Sequence, residues 1–306
     1  IEYAGNGDKA VGIENVMTWL AIIGTAMLLI TFFTTKERIV PTPEQKSSLK
    51  EDLTDLAKNK PWVIMLLLTT LVFVNLAMKG GSYVYYFENY VDKERLTQFI
   101  QPVLTFLTGI GVNFFGENPV SAGFGLFNAG GIIFMIVGIT LSKGLADKYG
   151  KRDVFGVTLF ISTLFILFFY FFPPTSIGLI FGSQILHGFF YGITIPLLWA
   201  MIADVADYSE WKNNRRATAI IFSAMMVGLK GGLSIGSALL TWILGLYDYV
   251  PQSDGIQSES AILSTKLLVS IYPSIPFLLG VGLLFFYEIN KTMEDKIEED
   301  LKSRRA

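Results

Sequence analysis

The sequence predicts an all-α membrane protein with seven transmembrane helices, and three observations lead to this fold class. First, 52% of the 306 residues are hydrophobic and 16% are charged, whereas an ordinary soluble domain is about 25% charged. Second, long apolar stretches recur, and about 20 such residues cross the hydrocarbon core of a bilayer. Third, Lys and Arg concentrate in alternate connections between these stretches. The predicted spans are 13–34, 61–85, 121–141, 154–172, 176–202, 217–246 and 262–287.

The composition also excludes several classes of function. The net charge of −2 argues against a nucleic-acid partner, since such a partner would call for a basic patch. The chain contains no cysteine, so it forms neither a disulfide framework nor a thiolate metal site. We find no spacing typical of a nucleophile with its base or of a metal site. We therefore expect no enzyme and no resident cofactor.

The basic residues predict how the chain is oriented. Their clusters lie at 36–60, 143–152, 212–216 and 291–305. The connections on the other side contain only Lys9, Lys93 and Arg95. Because cytoplasmic loops carry the excess of Lys and Arg, we expect a multi-pass protein of the plasma (inner) membrane. Its N-terminus would lie outside and its C-terminus in the cytoplasm.

Two connecting segments have patterns of their own. In the connector 36–60, Ser48 and Glu51 have the spacing of a capping box, which predicts a short helix at the cytoplasmic interface. On the outer side, the segment 95–119 is too apolar for a free loop, and Pro102 and several glycines interrupt it. We interpret it as an interfacial or re-entrant segment. The alternative is that it extends the second and third spans.

Three spans carry polar side chains at helical spacing. On the sixth span, Lys230 and Ser234 share one face, opposite a stripe of small residues from Ala224 to Gly236 that would let two helices approach closely. The second and fifth spans have similar polar stripes. Since polar residues inside a membrane mark substrate pathways, we predict a shared water-filled cavity. The candidate substrate-binding residues are Lys230, Asn75, Tyr86, Gln184, His187, Tyr191, Trp199 and Ser234.

Some of these candidates have a second interpretation. His187 and Trp199 could be ordinary packing residues, and Lys79, on the same stripe as Asn75, could extend to the outer interface. Lys230 differs, because it lies about 20 Å from either end of its span, at 1.5 Å per residue. Its stem cannot reach the interface, which favours a functional or paired role.

Two stretches on the predicted cytoplasmic side resemble a known family. "GLADKYGKR", residues 144–152, is similar to a loop motif of the major facilitator superfamily. "IADVADYSEWKNNRRATAIIFS", residues 202–223, is followed by "LKGG". Together they resemble the glycoside-pentoside-hexuronide:cation symporter family of that superfamily. The matching residues, in order, are Asp204, Asp207, Tyr208, Glu210, Arg216 and Lys230.

The resemblance implies a secondary active transporter that moves a sugar or glycoside together with a cation by alternating access. Such transporters have twelve spans in two halves, so this chain would be an incomplete fragment. Residues 1–35 would be the last helix of the N-terminal half, 36–60 a cytoplasmic connector, 61–290 the six-helix C-terminal half and 291–306 a cytoplasmic tail. Its partners would be the sugar, membrane lipid and the missing N-terminal half. The coupling cation, which could be Na⁺, H⁺ or Li⁺, would be bound mainly by residues of that half.

The resemblance also implies a cytoplasmic gate near the inner ends of the helices. The acidic residues lie beside basic clusters and could close the inner side; alternatively, these charges only cap helices and fix topology. The gate residues are Asp147, Lys148, Arg152, Asp204, Asp207, Glu210, Arg215 and Arg216.

A seven-span receptor or retinal-type protein is the alternative class. A retinal protein needs a lysine deep in its seventh span, whereas Lys266 lies at the edge of that span. The series of Asp, Tyr, Glu, Arg and Lys residues favours transport instead.

Overall fold

The fold is all-α, as predicted. The computed structural model describes residues 9–35, 54, 56–111, 118–213, 218–251 and 257–305, and within these ranges it contains helices and no strand. The helices are α1 (Lys9–Thr34), α2 (Lys60–Asn89), α3 (Lys93–Gly109), α4 (Pro119–Tyr149), α5 (Lys151–Phe168), α6 (Ile177–Asn213), α7 (Thr218–Leu246), α8 (Glu259–Val269), α9 (Ile271–Leu284) and α10 (Lys291–Arg305). We call the two ends of the bundle inner and outer, after the orientation that the sequence predicts.

Seven segments of the described chain are long and apolar enough to cross a membrane, which confirms the predicted number of spans. They are α1, α2, α4, α5 with the 3₁₀ turn Phe169–Phe171, α6, α7, and α8 together with α9. The predicted connector helix near Ser48 lies mostly outside the described residues.

Two spans differ in detail from the prediction. The fifth continues past its predicted end at residue 202 to Asn213, because neither Gly nor Pro interrupts the charged stretch and Val205 and Tyr208 pack into the core. The seventh is broken at Ser270 (φ −126°, ψ −80°) into α8 and α9. Pro273 follows the break, and proline inside a continuous helix would remove a backbone hydrogen bond and clash with the preceding turn.

Local sequence explains where the spans begin and end. Asn59 caps α2 by accepting a hydrogen bond from the Trp62 amide, and Pro61 lies in the first turn, where proline is favoured. Asn118 caps α4 in the same way, followed by Pro119. Gly150 then ends α4 with φ of +87°, a conformation that glycine adopts without steric cost.

Glycines bring two pairs of helices into backbone contact. On α7, a β-carbon built at Gly232 would lie 2.5 Å from the Thr70 carbonyl oxygen of α2, and one at Gly236 would overlap the Val74 carbonyl. On α6, a β-carbon at Gly192 would overlap the Met135 carbonyl of α4. The predicted close approach along the small-residue face of the sixth span is therefore confirmed.

The segments at the two ends of the bundle fold differently from the spans. The outer segment forms a separate helix, α3, which Asp92 caps by accepting a hydrogen bond from the Arg95 amide. The alternative that this segment only extends its neighbours is wrong for residues 93–109. At the N-terminal end of the chain, α1 leaves large side chains such as Met17 and Phe33 exposed along its length.

The predicted cytoplasmic tail is an ordered helix that packs on the inner end of the bundle. Ile297 and Leu301 of α10 are each 4% exposed and belong to the main apolar core. Asp300 accepts a hydrogen bond of 2.7 Å from Trp211 Nε1 at the end of α6, and Arg304 Nη1 donates to the Trp211 carbonyl at 3.1 Å. Most of the predicted cytoplasmic tail is therefore a helix that is anchored to the bundle.

Candidate functional site

Buried polar side chains from α2 and α6 meet inside the bundle. The Tyr83 hydroxyl donates a hydrogen bond of 3.0 Å to Gln184 Oε1, and both residues are buried. Lys79 Nζ lies 5.4 Å from the centre of the Tyr83 ring, within the range of a cation–π interaction. Lys79 is 8% exposed, so its ammonium stays inside the bundle and does not extend to the outer interface.

His187 lies deeper in the same region, between α5 and α9. Its Nδ1 is 2.8 Å from Ser162 Oγ and 3.1 Å from the Ser162 carbonyl oxygen. Its ring stacks on Tyr191 with centroids 5.7 Å apart, and Tyr191 in turn stacks on Phe277 at 5.8 Å. The surroundings of His187 are those of a hydrogen-bonded packing residue, and its contact with substrate stays a prediction.

Asn75 and Tyr86, the other candidates on α2, also face the interior of the bundle. Asn75 Nδ2 donates a hydrogen bond of 2.6 Å to the Pro273 carbonyl, just beyond the break between α8 and α9. On the same stripe, Ser82 Oγ donates to the Leu268 carbonyl at 3.0 Å, which satisfies one of the carbonyls that a helix end leaves unpaired. Tyr86 is fully buried, and its hydroxyl has no hydrogen-bond partner among the residues that the structure describes.

Lys230 and Ser234 lie elsewhere, on an exposed face of α7. Ser234 Oγ donates a hydrogen bond of 2.9 Å to the Lys230 carbonyl within the same helix. The Lys230 ammonium has no ion pair or hydrogen bond with any residue that the structure describes. The polar stripes of α2 and α6 therefore converge, while that of α7 points away from them because its opposite, glycine-lined face packs on α2.

Trp199 takes a third position. It is half-buried on α6 and packs against the main apolar core near the inner half of the bundle.

A charged network of Lys151, Asp204 and Glu294, which we call the inner network, lies at the inner end, where α5, α6 and α10 meet. Lys151 Nζ lies 2.5 Å from Asp204 Oδ1 and 3.6 Å from Glu294 Oε2. Burial raises the pKa of Glu294, and although Lys151 opposes the shift, Asp204 adds to it. Within the described part of the chain, the other carboxylate oxygen of Glu294 is buried without a hydrogen-bond partner. These groups, with Asp207, border an inner cavity of about 730 Å³.

The ion pair of Asp204 brings Lys151 into the region of the predicted gate. The sequence placed Asp204 beside the Lys148/Arg152 and Arg215/Arg216 clusters, and the structure pairs it with Lys151. The reason is local: Gly150 turns the chain so that Lys151 opens α5 beside α6.

The remaining gate candidates are scattered around the inner end. Asp147 and Lys148 are exposed at the end of α4. Arg152 Nε pairs with Asp153 at 2.8 Å, and its Nη1 donates to the Tyr287 carbonyl at 3.2 Å. Glu210 is half-buried on α6. The predicted Arg215 and Arg216 lie outside the described residues.

Comparison with known proteins identifies the family. The sequence matches the family described as MFS/sugar transport protein over residues 3–119 and 113–291, which is most of the chain. The chain belongs to this family. Membership confirms the predicted resemblance to symporters of the major facilitator superfamily, and the seven apolar helices confirm the prediction of a multi-pass membrane protein. The relatives are named as transport proteins and not as enzymes.

Similar members of the MFS/sugar transport protein family are named as symporters or transporters. The Escherichia coli (strain K12) protein YagG, provisionally named a glycoside/cation symporter, is 29% identical over 307 residues, covering 100% of this chain and 60% of the relative. The inner membrane symporter YicJ of the same organism is 28% identical, covering 92% and 55%. The isoprimeverose transporter of Lactiplantibacillus pentosus is 27% identical, covering 100% and 58%. The chain thus spans about three fifths of the length of these relatives.

Neither the family nor the geometry locates a metal site in this part of the protein. Among the described residues, no three His, Cys, Asp or Glu side chains come together as a metal site would require.

Sequence reasoning did not identify Lys151 and Glu294 as partners in the charged network at the inner end. It also missed the neighbouring hydrogen bond from Trp211 to Asp300. One available signal was the apolar spacing of Met293, Ile297 and Leu301 along the charged tail, which is typical of a helix packed on one face.

Proposed function

We propose that this chain supplies the six-helix C-terminal half, and the helix before it, of a sugar:cation symporter that works by alternating access. Membership of the MFS/sugar transport protein family and the names of its relatives support this proposal. The observation that carries it is the exposed position of Lys230 on a helix long and apolar enough to cross a membrane. A charged residue facing lipid in mid-span costs several kcal/mol, so this face requires water and a second polar surface opposite it.

In this proposal the polar face of α7 forms one wall of the sugar site. Rocking transporters bind their substrate near the middle of the membrane, between two halves that move nearly as rigid bodies. The Lys230 ammonium offers three hydrogen-bond donors. It would donate to sugar hydroxyls and pair with a carboxylate of the N-terminal half, while Ser234 lies one turn away on the same face.

The other substrate candidates would act from inside the bundle. Asn75, Tyr86, Gln184 and His187 are buried, so we propose that they hold α2 and α6 in the shape that the sugar requires. Tyr191 and Trp199, which are half-buried on α6, would come closer to the sugar. The coupling cation, Na⁺, H⁺ or Li⁺, would bind mainly in the N-terminal half.

We further propose that the inner network is the cytoplasmic gate. Lys151, Asp204 and Glu294 tie α5, α6 and α10 together at the inner end. In an outward-open state this charged surface would meet the inner end of the N-terminal half, and in an inward-open state the two surfaces would separate while the ties within this half stay formed. Asp207, on the border of the inner cavity, would contribute to the same gate.

The decisive experiment compares variants in the complete transporter that contains this chain. Lys230→Ala should abolish cation-driven uptake of sugar and leave expression intact, and it should change the cation dependence of sugar binding because the partner carboxylate loses its ion pair. Lys230→Arg should restore little activity, since a planar guanidinium replaces a compact ammonium. Ser237→Ala, farther out on the same face of α7, is the matched control and should have a milder effect. Normal uptake by Lys230→Ala would show that the sugar site lies elsewhere.

A second experiment tests whether both halves are needed. Vesicles that contain only this 306-residue chain should not accumulate labelled glycoside, because the polar face of α7 has no opposing half. Accumulation in such vesicles would refute the proposal of a half-transporter.

A further inference from the structure

The outer helix α3 has a fixed position at the outer end of the bundle. Three residues separate it from the end of α2, and the backbone amide of Asp92, just before it, donates a hydrogen bond of 3.1 Å to the Pro174 carbonyl ahead of α6. The Phe99 ring of α3 lies 5.2 Å from Phe181 near the outer end of α6. These contacts hold α3 beside the outer ends of the spans.

One side of α3 presents large apolar side chains that the described residues cover only in part. They recur at intervals of four, three and four residues, so they form a single stripe along the helix. Their exposed fractions range from 44% to 66%. This outer apolar face consists of Phe99, Val103, Phe106 and Ile110.

The other two sides of α3 have different surroundings. Leu96 and Ile100 are buried and pack into the aromatic core beneath the outer ends of the spans. The polar residues Gln101 and Thr105 are exposed. At about 100° per residue, they lie on nearly the opposite side of the helix from the outer apolar face.

We propose that α3 lies along the membrane surface and inserts its outer apolar face among the lipids of the outer leaflet. A helix with one apolar and one polar exposed side is suited to the boundary between water and acyl chains. Arg95 is exposed and, at about 100° per residue, borders the outer apolar face, from where its guanidinium reaches the lipid phosphates. Two of the four apolar side chains are Phe, and aromatic rings concentrate at this level of a membrane.

Lipid fits this surface better than a second protein surface. If the N-terminal half covered the outer apolar face, the opposite side of α3 would not have to be polar. The polar stripe is expected where the helix separates water from hydrocarbon. The inference depends on the membrane location of the spans and is independent of the sugar and cation proposed above.

The chain contains no cysteine, so single cysteines can carry a spin label without background. Val103→Cys and Phe106→Cys report on the outer apolar face, and Gln101→Cys and Thr105→Cys are matched controls on the polar side. The labelled chain is reconstituted in phosphatidylcholine vesicles, and collisions with dissolved oxygen and with a water-soluble nickel chelate give the depth of each label. Labels at 103 and 106 should lie about 5–10 Å below the headgroup boundary, whereas those at 101 and 105 should remain accessible to nickel.

The same four labels in the complete transporter separate lipid from the other occupants. Depths that match those in the chain alone, with unchanged accessibility to oxygen, support lipid as the occupant. Labels at 103 and 106 that become inaccessible to both oxygen and nickel would show that the N-terminal half or a second copy covers the face, and would overturn the proposal. Equal exposure of all four positions to nickel would overturn it as well.

Discussion

Replacing Leu301 by alanine should release the C-terminal helix from the inner end of the bundle. Leu301 is 4% exposed and packs in the main apolar core. Truncating such a residue to alanine costs about 2–5 kcal/mol. Because α10 meets the rest of the protein on this face, the loss applies to its docking, and about 3 kcal/mol corresponds to a factor of about 100 in the docking equilibrium.

Hydrogen exchange of the amides in α10 measures this equilibrium. A released 15-residue helix is marginal in water, so its amides exchange whenever it leaves the bundle. We expect exchange within α10 to accelerate about 100-fold in Leu301→Ala, with little change in α4. Glu299→Ala, at an exposed position of the same helix, is the control. If both variants exchange alike, Leu301 does not hold α10, and the described packing of the tail is incorrect.

Three further predictions concern charge, backbone contact and buried hydrogen bonds. Burial raises the pKa of Glu294 in the docked helix. Protonation of Glu294 therefore stabilises docking of α10. This stabilisation is fully present below the ordinary pKa of 4.5 and is lost as the pH rises through the raised pKa. Protection of α10, corrected for intrinsic exchange rates, should therefore fall over that range in the wild type and change less in Glu294→Gln; identical pH profiles would contradict this. Gly192→Val should lower the melting temperature, since overpacking costs about 1–3 kcal/mol. Gly182→Val, at a position with open space on the same helix, should not lower it. Equal melting temperatures of the two variants would exclude the backbone contact at Gly192. Tyr83→Phe leaves Gln184 Oε1 buried without its donor, which lowers the free energy of unfolding by about 1–3 kcal/mol. This variant should therefore melt at a lower temperature than the control Tyr85→Phe. Equal melting temperatures would show that the hydrogen bond is not formed.

Hydrophobic length and helical spacing predicted most of the fold. The number of spans and the glycine face of α7 follow from patterns within single helices, such as the repeat that places Gly232 and Gly236 on one side. The same patterns could not reveal which polar stripes meet. Asn75 and Lys230 each lie on a polar face, yet one face is buried against α9 and the other is exposed. That difference depends on helix packing rather than on either helix alone.

The inner network was harder to predict for a similar reason. A rule based on basic clusters treats Lys148, Lys151 and Arg152 as equivalent, but the turn at Gly150 places only Lys151 against Asp204. Glu294 joins it from a segment that looks like a solvated tail because charged residues dominate its composition. The four-residue intervals between Met293, Ile297 and Leu301 are the pattern that indicates packing on one face.

The contact between α2 and α7 limits how the two helices can move. Backbone lies directly on backbone at Gly232 and Gly236, so no flexible side chain separates them as a spacer. If α7 rolled about its own axis, bulkier neighbours would be driven into the gap, and the helices would have to part first. Tilting the pair together costs no such separation. The face of α7 that carries Lys230 therefore keeps its orientation relative to α2, and turning that face toward either side of the membrane requires both helices to move together.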